Sequence, residues 1–275
     1  MPQSRSLTIT RIDGTTSSEM RDDVALEEPL EIRLDASDGT KRATRSLSIT
    51  MRTPGHDREL AAGFLLTEGL LRSAHEITSI TQHDDNIVTV HLADHARVAW
   101  PSMERHFYAT SSCGVCGKSS LDALEVPGLQ RIPRDGFSFA VGEVPRLSGR
   151  LRARQAVFDR TGGLHAAALF SGDGALVDLR EDVGRHNAVD KLLGAQFVQG
   201  LTPLRDCLLF LSGRASFELV QKALAGGIPM IAAVGAPSSL AVDLAQRFDL
   251  TLVGFVRDER FNVYSGAWRL HGDAI

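Results

Sequence analysis

Between residues 207 and 256 the chain alternates short, wholly apolar runs with amphipathic stretches of helical length. Cys207–Leu211 and residues 230–234 have no polar face, so as strands they must be covered on both sides. Phe217–Ala225, ended by Gly226-Gly227, and residues 241–248, capped by Ser238 or Ser239, have helical periodicity. Residues 250–256 and 261–264 read as closing strands. Strands that alternate with helices and are buried on both faces imply an α/β sheet with helices on its faces.

The preceding segment fits that sheet. Residues 165–170 and 175–180 read as a hairpin around Ser171-Gly172-Asp173-Gly174. Residues 187–197 read as a helix with Val189, Leu192, Leu193 and Phe197 on one side. The N-terminal half has a different rhythm. Residues 31–34 and 47–52 read as strands, the second alternating Leu47, Ile49 and Met51, with Asp38-Gly39 as a turn. Thr53-Pro54-Gly55 breaks that strand, and residues 57–71 form a helix with Leu60, Phe64, Leu65 and Leu71 on its apolar face. Residues 77–82 and 87–92 pair around Asp84-Asp85-Asn86, and Ser119 or Ser120 caps a short helix over 121–125. The expected class is α/β (α+β overall). A loose polar arm over 1–25 precedes a smaller mixed domain over 26–145 and an α/β domain over 146–275.

A hydrophobic fraction of 43% and a charged fraction of 23% are those of a soluble globular protein. The net charge of -4 argues against nucleic-acid binding, which needs a basic face. No apolar run has transmembrane length, and residues 1–10 lack the apolar core of a secretory signal. The expected setting is cytoplasmic, with neither nucleic acid nor membrane as partner. The 3 cysteines do not make a disulfide framework.

Two of those cysteines stand together in Ser111-Ser112-Cys113-Gly114-Val115-Cys116-Gly117-Lys118. The surroundings are small and polar, unlike those of a buried structural cysteine. Lys118 and the helix start at Ser119 or Ser120 favour the thiolate, the reactive form. Gly114 and Gly117 allow close backbone approach and motion. Sulfur or redox chemistry, a metal site and a structural role all remain open on spacing alone. A structural zinc needs four ligands and the pair supplies two, while Cys207 belongs to an apolar strand. A zinc deaminase needs His-x-Glu before Pro-Cys-x-x-Cys; no His-x-Glu precedes the pair and Ser112 replaces the proline.

Other polar groups gather at strand ends. Ser212, Gly213 and Arg214 follow an apolar strand and open a helix, a pattern suited to an anion. Gly235-Ala236-Pro237-Ser238-Ser239 repeats the geometry without the arginine. Phe255, Val256, Arg257, Asp258, Glu259 and Arg260 close the sheet with two arginines. Each alone is an ordinary capped turn; three on one sheet edge suit a phosphate-bearing ligand such as a nucleotide. Glu181-Asp182-Val183-Gly184-Arg185-His186-Asn187 is dense in hydrogen-bonding groups, with Asn187 as a possible helix cap. Gly162-Gly163 reads as a tight turn, and Arg146, Arg150, Arg152 and Arg154 as a solvated helix face.

Gly63-Phe64-Leu65-Leu66-Thr67-Glu68-Gly69, the cysteine segment from Cys113 to Lys118, Thr161 to Leu169, Glu181 to Lys191 and Leu211 to Lys222 together resemble the formate dehydrogenase accessory sulfurtransferases of the FdhD/NarQ family. The resemblance implies a cytoplasmic homodimer that takes persulfide sulfur from a cysteine desulfurase. It implies delivery to the molybdenum bis(molybdopterin guanine dinucleotide) cofactor required by formate dehydrogenase, with GDP as a mimic of the nucleotide portion. Cys113 is the implied carrier and Cys116 its helper. Residues 255–260 are the implied cofactor segment. The implied fold of the larger domain is three-layered and like cytidine deaminase, with no permanently bound metal. The alternative is a non-enzymatic chaperone that only holds the cofactor.

Overall fold

The computed structural model describes residues 2–37, 39, 41–96, 126 and 128–272. Cys113, Cys116 and the helix expected over 121–125 lie outside these residues. The expected loose arm is instead a hairpin of β1 (Ser4–Asp13) and β2 (Thr16–Ala25), fully in register from Ser4↔Ala25 to Asp13↔Thr16. Asp13-Gly14 supplies the tight turn, with Gly14 at φ 60. Polar composition hides the strands, because both are largely solvated.

The first sheet has the order β4-β3-β6-β5 and comprises β3 (Glu28–Ser37), β4 (Arg42–Arg52), β5 (Ile77–Asp84) and β6 (Ile87–Leu92). Leu30, Ile32, Leu34 and Ala36 of β3 all face the core, as period two requires. The expected alternation in β4 differs. Ile32 pairs with Ser48 and Arg33 with Ser46, so Leu47 is bulged out of the ladder. Leu47 is buried, whereas Ile49 and Met51 are 70% and 48% exposed on this edge strand. Helix α1 (Asp57–Thr67) packs beneath the sheet through Leu60, Leu65 and Leu66.

The second sheet has the order β13-β12-β11-β10-β8-β9. A two-stranded parallel pairing, β7 (Phe139–Ala140) with β14 (Leu270–His271), borders it. Its strands are β8 (His165–Ser171), β9 (Leu176–Asp182), β10 (Cys207–Leu211), β11 (Met230–Ala233), β12 (Thr251–Arg257) and β13 (Arg260–Ser265). β10, β11 and β12 are parallel, and the remaining pairings are antiparallel. Two short helices, α2 (Arg146–Arg152) and α3 (Ala156–Thr161), precede β8. Three longer ones follow the hairpin: α4 (Arg185–Val198), α5 (Phe217–Ala225) and α6 (Ser239–Arg247). Alternate residues divide the sheet faces. Ala167, Leu169, Leu209, Leu211, Ile231 and Ala233 share one core with α4, α5 and α6. Ala168, Phe170, Leu208, Phe210, Met230 and Ala232 share another with Leu147, Leu151, Phe137 and Phe139. The result is a mixed sheet between two covering layers. Full burial of one Leu or Phe side chain contributes about 1.5–3 kcal/mol, so both covered faces weigh heavily.

The first core continues into the N-terminal sheet, through α1 and α4. The two helices meet at glycines: a methyl on Gly63 would lie 1.8 Å from the Asp190 carbonyl oxygen, and one on Gly194 1.8 Å from that of Glu59. Buried ion pairs surround the crossing. Lys191 Nζ lies 2.7 Å from Asp182 and donates to the Thr53 carbonyl at 2.7 Å. Thr53 N–H donates to Asp182 at 3.1 Å, and Asn187 donates to the Met51 carbonyl at 2.8 Å. Asn187 is therefore not the helix cap; Gly184 holds that position and Asn187 clasps β4. Lys222 of α5 donates to Asp190 and to the Thr67 hydroxyl, tying together α1, α4 and α5. Burial works against the Lys222 ammonium, but the Asp190 and Glu68 carboxylates overcome it and raise its pKa. Unpaired, either charge would be expensive there, so the network fixes which surfaces meet.

Candidate functional site

The turns that follow β10, β11 and β12 lie side by side at the carboxyl ends of these parallel strands. Gly235 N–H donates to the Gly213 carbonyl at 2.9 Å, and Phe255 N–H donates to the Gly235 carbonyl at 3.1 Å. Small residues are required for this approach. A methyl on Gly235 would lie 3.0 Å from Arg214 Cα, and one on Gly254 2.9 Å from the Pro237 ring. Ser212 is anchored differently: its N–H donates to the Ala166 carbonyl, and its hydroxyl accepts from Ala166 N–H at 2.8 Å. The three turns expected on one sheet edge are thus a single hydrogen-bonded shelf.

Above the shelf opens a cavity of about 810 Å³, within the range of small-molecule sites. Ser212, Val256, Arg257 and Asp258 line it. The opposite wall comes from α2, α3 and the glycine turn, including Leu151, Gln155, Phe158 and Gly163. Of the remaining expected residues, Arg214 is exposed and Gly213 half-buried beside His165. Phe255, Glu259 and Arg260 are exposed around the β12–β13 turn and do not line the cavity. Arg257 and Arg260 are cross-strand partners at that turn.

The backbone here departs from regular strand. The pairing of β12 with β13 shifts register between Gly254 and Arg257. Phe255 has φ 55 and Asp258 φ 51, both left-handed. A bulky side chain in that region costs about 1–2 kcal/mol, and such strain gathers at functional sites. The bulge turns Phe255, 40% exposed, away from the sheet while Val256 stays buried.

Gly162 and Gly163 do more than turn the chain, since both line the cavity. Gln155 and Phe158 arrive through tertiary structure: Glu181 accepts hydrogen bonds from Val157 N–H at 3.1 Å and Phe158 N–H at 2.9 Å, which caps α3. No local sequence signal marks those two side chains. Arg152 pairs with Asp159 and lies 4.7 Å over the Phe158 ring, so it forms part of the wall. Arg146 and Arg150 both pair with Glu143, and Arg150 also reaches the Gly174 carbonyl. They belong to a local network rather than to a purely solvated face. His165 closes one end of the cavity. Burial lowers its pKa, and the nearby Arg185 and Arg214 add to the effect.

An apolar floor, a ring wall, two arginines, a serine and glycine backbone suit a ligand with a flat ring and phosphates. Cys113 and Cys116 fall outside the described residues.

Residues 25–271 match the model of the FdhD/NarQ family. A protein of Streptomyces coelicolor named sulfur carrier protein FdhD is 50% identical over 268 residues, covering 94% of this chain and 92% of the relative. One of the same name from Thermoplasma volcanium is 42% identical over 269 residues, covering 96% and 94%. A crystal structure from Desulfotalea psychrophila, assigned as a formate dehydrogenase accessory protein, superimposes with a TM-score of 0.76 at 26% identity. That match covers 98% of this chain and 100% of the other.

Proposed function

Because the chain belongs to the FdhD/NarQ family, we propose that it is a sulfur carrier and sulfurtransferase serving formate dehydrogenase. The donor is a cysteine desulfurase, and the acceptor is the molybdenum bis(molybdopterin guanine dinucleotide) cofactor. The observation that carries the docking half of this reading is the shelf of three strand-end turns under a cavity lined by Ser212, Arg257 and glycine backbone. Nucleotide phosphates meet Arg257 there, with Arg214 and Arg260 at the rim. Phe255 offers its ring at the shelf edge.

The sulfur half rests on Cys113 and Cys116. The Cys113 thiolate attacks the terminal sulfur of the donor persulfide. The donor S–S bond breaks, a Cys113 S–S bond forms, and the donor cysteine leaves as thiolate. Once the acceptor cofactor is docked, attack by the Cys116 thiolate on the Cys113 sulfur forms a Cys113–Cys116 disulfide. The terminal sulfur departs as hydrosulfide, reduced by the two electrons the cysteine pair loses. Two copies of the chain work together in the cytoplasm. Among the described residues no helix is long and apolar enough to cross a membrane.

GDP titration of the purified chain tests the docking. A charge-assisted hydrogen bond contributes about 1.5–3 kcal/mol, and 1.4 kcal/mol is about tenfold in affinity. The Arg214→Ala/Arg257→Ala protein is expected to bind GDP at least about tenfold more weakly. Unchanged affinity refutes the assignment of the cavity.

A further inference from the structure

Asp182, Asn187 and Lys191 of the strand-to-helix motif are absorbed by the clasp to β4, but Arg185 and His186 between them are not. Among the described residues, Arg185 Nε is buried and has no hydrogen-bond acceptor. His186 Nε2 is also buried without a hydrogen bond; the Glu218 carboxylate stands 3.9 Å away, beyond hydrogen-bond reach. A buried donor left without an acceptor is costly unless something else supplies one.

His165 faces the same place from β8. Gly213 passes so close to its ring that a methyl there would lie 3.3 Å from Nδ1. Arg185 and Arg214 act on the His165 ring, and Lys222 and Arg185 act on His186. Burial, reinforced by these cations, holds both imidazoles below their ordinary pKa, so both are neutral near pH 7. Arg185, Arg214 and Lys222 against the Asp182 and Glu218 carboxylates leave a single net positive charge. A phosphate dianion would face the Glu218 carboxylate with too little compensation, whereas a monoanion balances the cluster. His165 lines the nucleotide cavity, so the cluster borders it.

We propose that Arg185, His165 and Arg214 form a binding site for a small monoanion, and that its ligand is hydrosulfide held at the edge of the cofactor cavity. The assignment of the ligand rests on the sulfur-carrier reading, in which sulfur leaves the cysteines as hydrosulfide. Arg185 Nε–H supplies the buried donor, and Arg214 closes the site from the exposed side.

Imidazole resonances of the reduced full-length chain, titrated anaerobically with sodium sulfide and separately with inorganic phosphate, test the site. His165→Gln assigns the His165 signal. The expected result is a saturable shift of His165 with sulfide that becomes at least about tenfold weaker in Arg185→Gln and in Arg214→Gln. Arg214 is exposed, so its variant serves if Arg185→Gln does not fold. A shift that never saturates, or equal affinity in the variants, overturns the site. Tighter saturation by phosphate than by sulfide overturns the ligand. Sulfur loading of the cysteine peptide, followed by mass spectrometry on the same protein, reports on the carrier reading separately. Loading without a saturable shift sinks the site alone, whereas a saturable shift without loading supports the site and sinks the carrier.

Discussion

Replacing Gly194 by alanine tests whether the two halves are locked together where α1 crosses α4. The added methyl would lie 1.8 Å from the Glu59 carbonyl oxygen, against about 3.4 Å for an ordinary contact, so one helix must retreat by roughly 1.6 Å. That oxygen belongs to the helical ladder and cannot swing aside alone. Parting the helices loosens Leu60, Leu192 and Leu193 and pulls on the Lys191–Asp182 clasp. Overpacking of this kind costs about 1–3 kcal/mol and occasionally more. Alanine in a helix interior works the other way, by about 1 kcal/mol. A backbone clash puts the first effect at its upper end, so the net loss is about 2 kcal/mol. With roughly 2–4 °C lost per kcal/mol in a chain of this size, thermal unfolding followed by circular dichroism should move down by roughly 4–8 °C. Gly63→Ala, at the same crossing, should act alike, and the double variant should fall short of the sum. An unchanged or raised Tm for Gly194→Ala would refute the crossing, because only the helix preference of alanine would then be acting.

Phe255→Gly should relieve the left-handed backbone and stabilise the chain by about 1 kcal/mol while weakening GDP binding. Loss of stability in urea unfolding, or GDP affinity equal to that of the wild type, would contradict its place at the shelf edge. The His186 imidazole is pushed down to about 4, by burial first and then by Lys222 and Arg185. Its folded value lies below the ordinary 6.5, so the stability it contributes is present above pH 6.5 and is lost as pH falls toward 4. Histidine titration by NMR should place His186 near 4, and urea midpoints should fall less from pH 7 to 4.5 in His186→Gln; a midpoint near 6.5 removes the argument.

Where burial alone determines structure, the sequence is transparent. Cys207–Leu211 and Phe217–Ala225 are found at their expected limits, because a run without a polar face and a glycine stop admit few alternatives. The α1 start at Asp57 is equally legible, since Thr53-Pro54-Gly55 closes the preceding strand. The β1–β2 hairpin is concealed by its polar surface, although Asp13-Gly14 marks its turn. Ile49 and Met51 mislead because the bulge at Leu47 exchanges the faces of β4, which no local pattern announces. The shelf could be anticipated from strand ends followed by glycine and arginine. Its far wall could not, because Gln155 and Phe158 depend on Glu181 capping α3 from a strand more than twenty residues away. Likewise, the motif around residues 181–187 divides into clasp and unpaired groups only when the partners on β4 are visible.

The central claim is that Cys113 carries sulfur. Incubation of the full chain with a cysteine desulfurase and cysteine, followed by mass spectrometry of the peptide spanning Cys113 and Cys116, tests it most directly. The account predicts a mass gain of one sulfur that is absent in Cys113→Ala and retained in Cys116→Ala. No gain in the wild-type chain, together with intact GDP binding, would contradict it and leave a protein that only holds the cofactor.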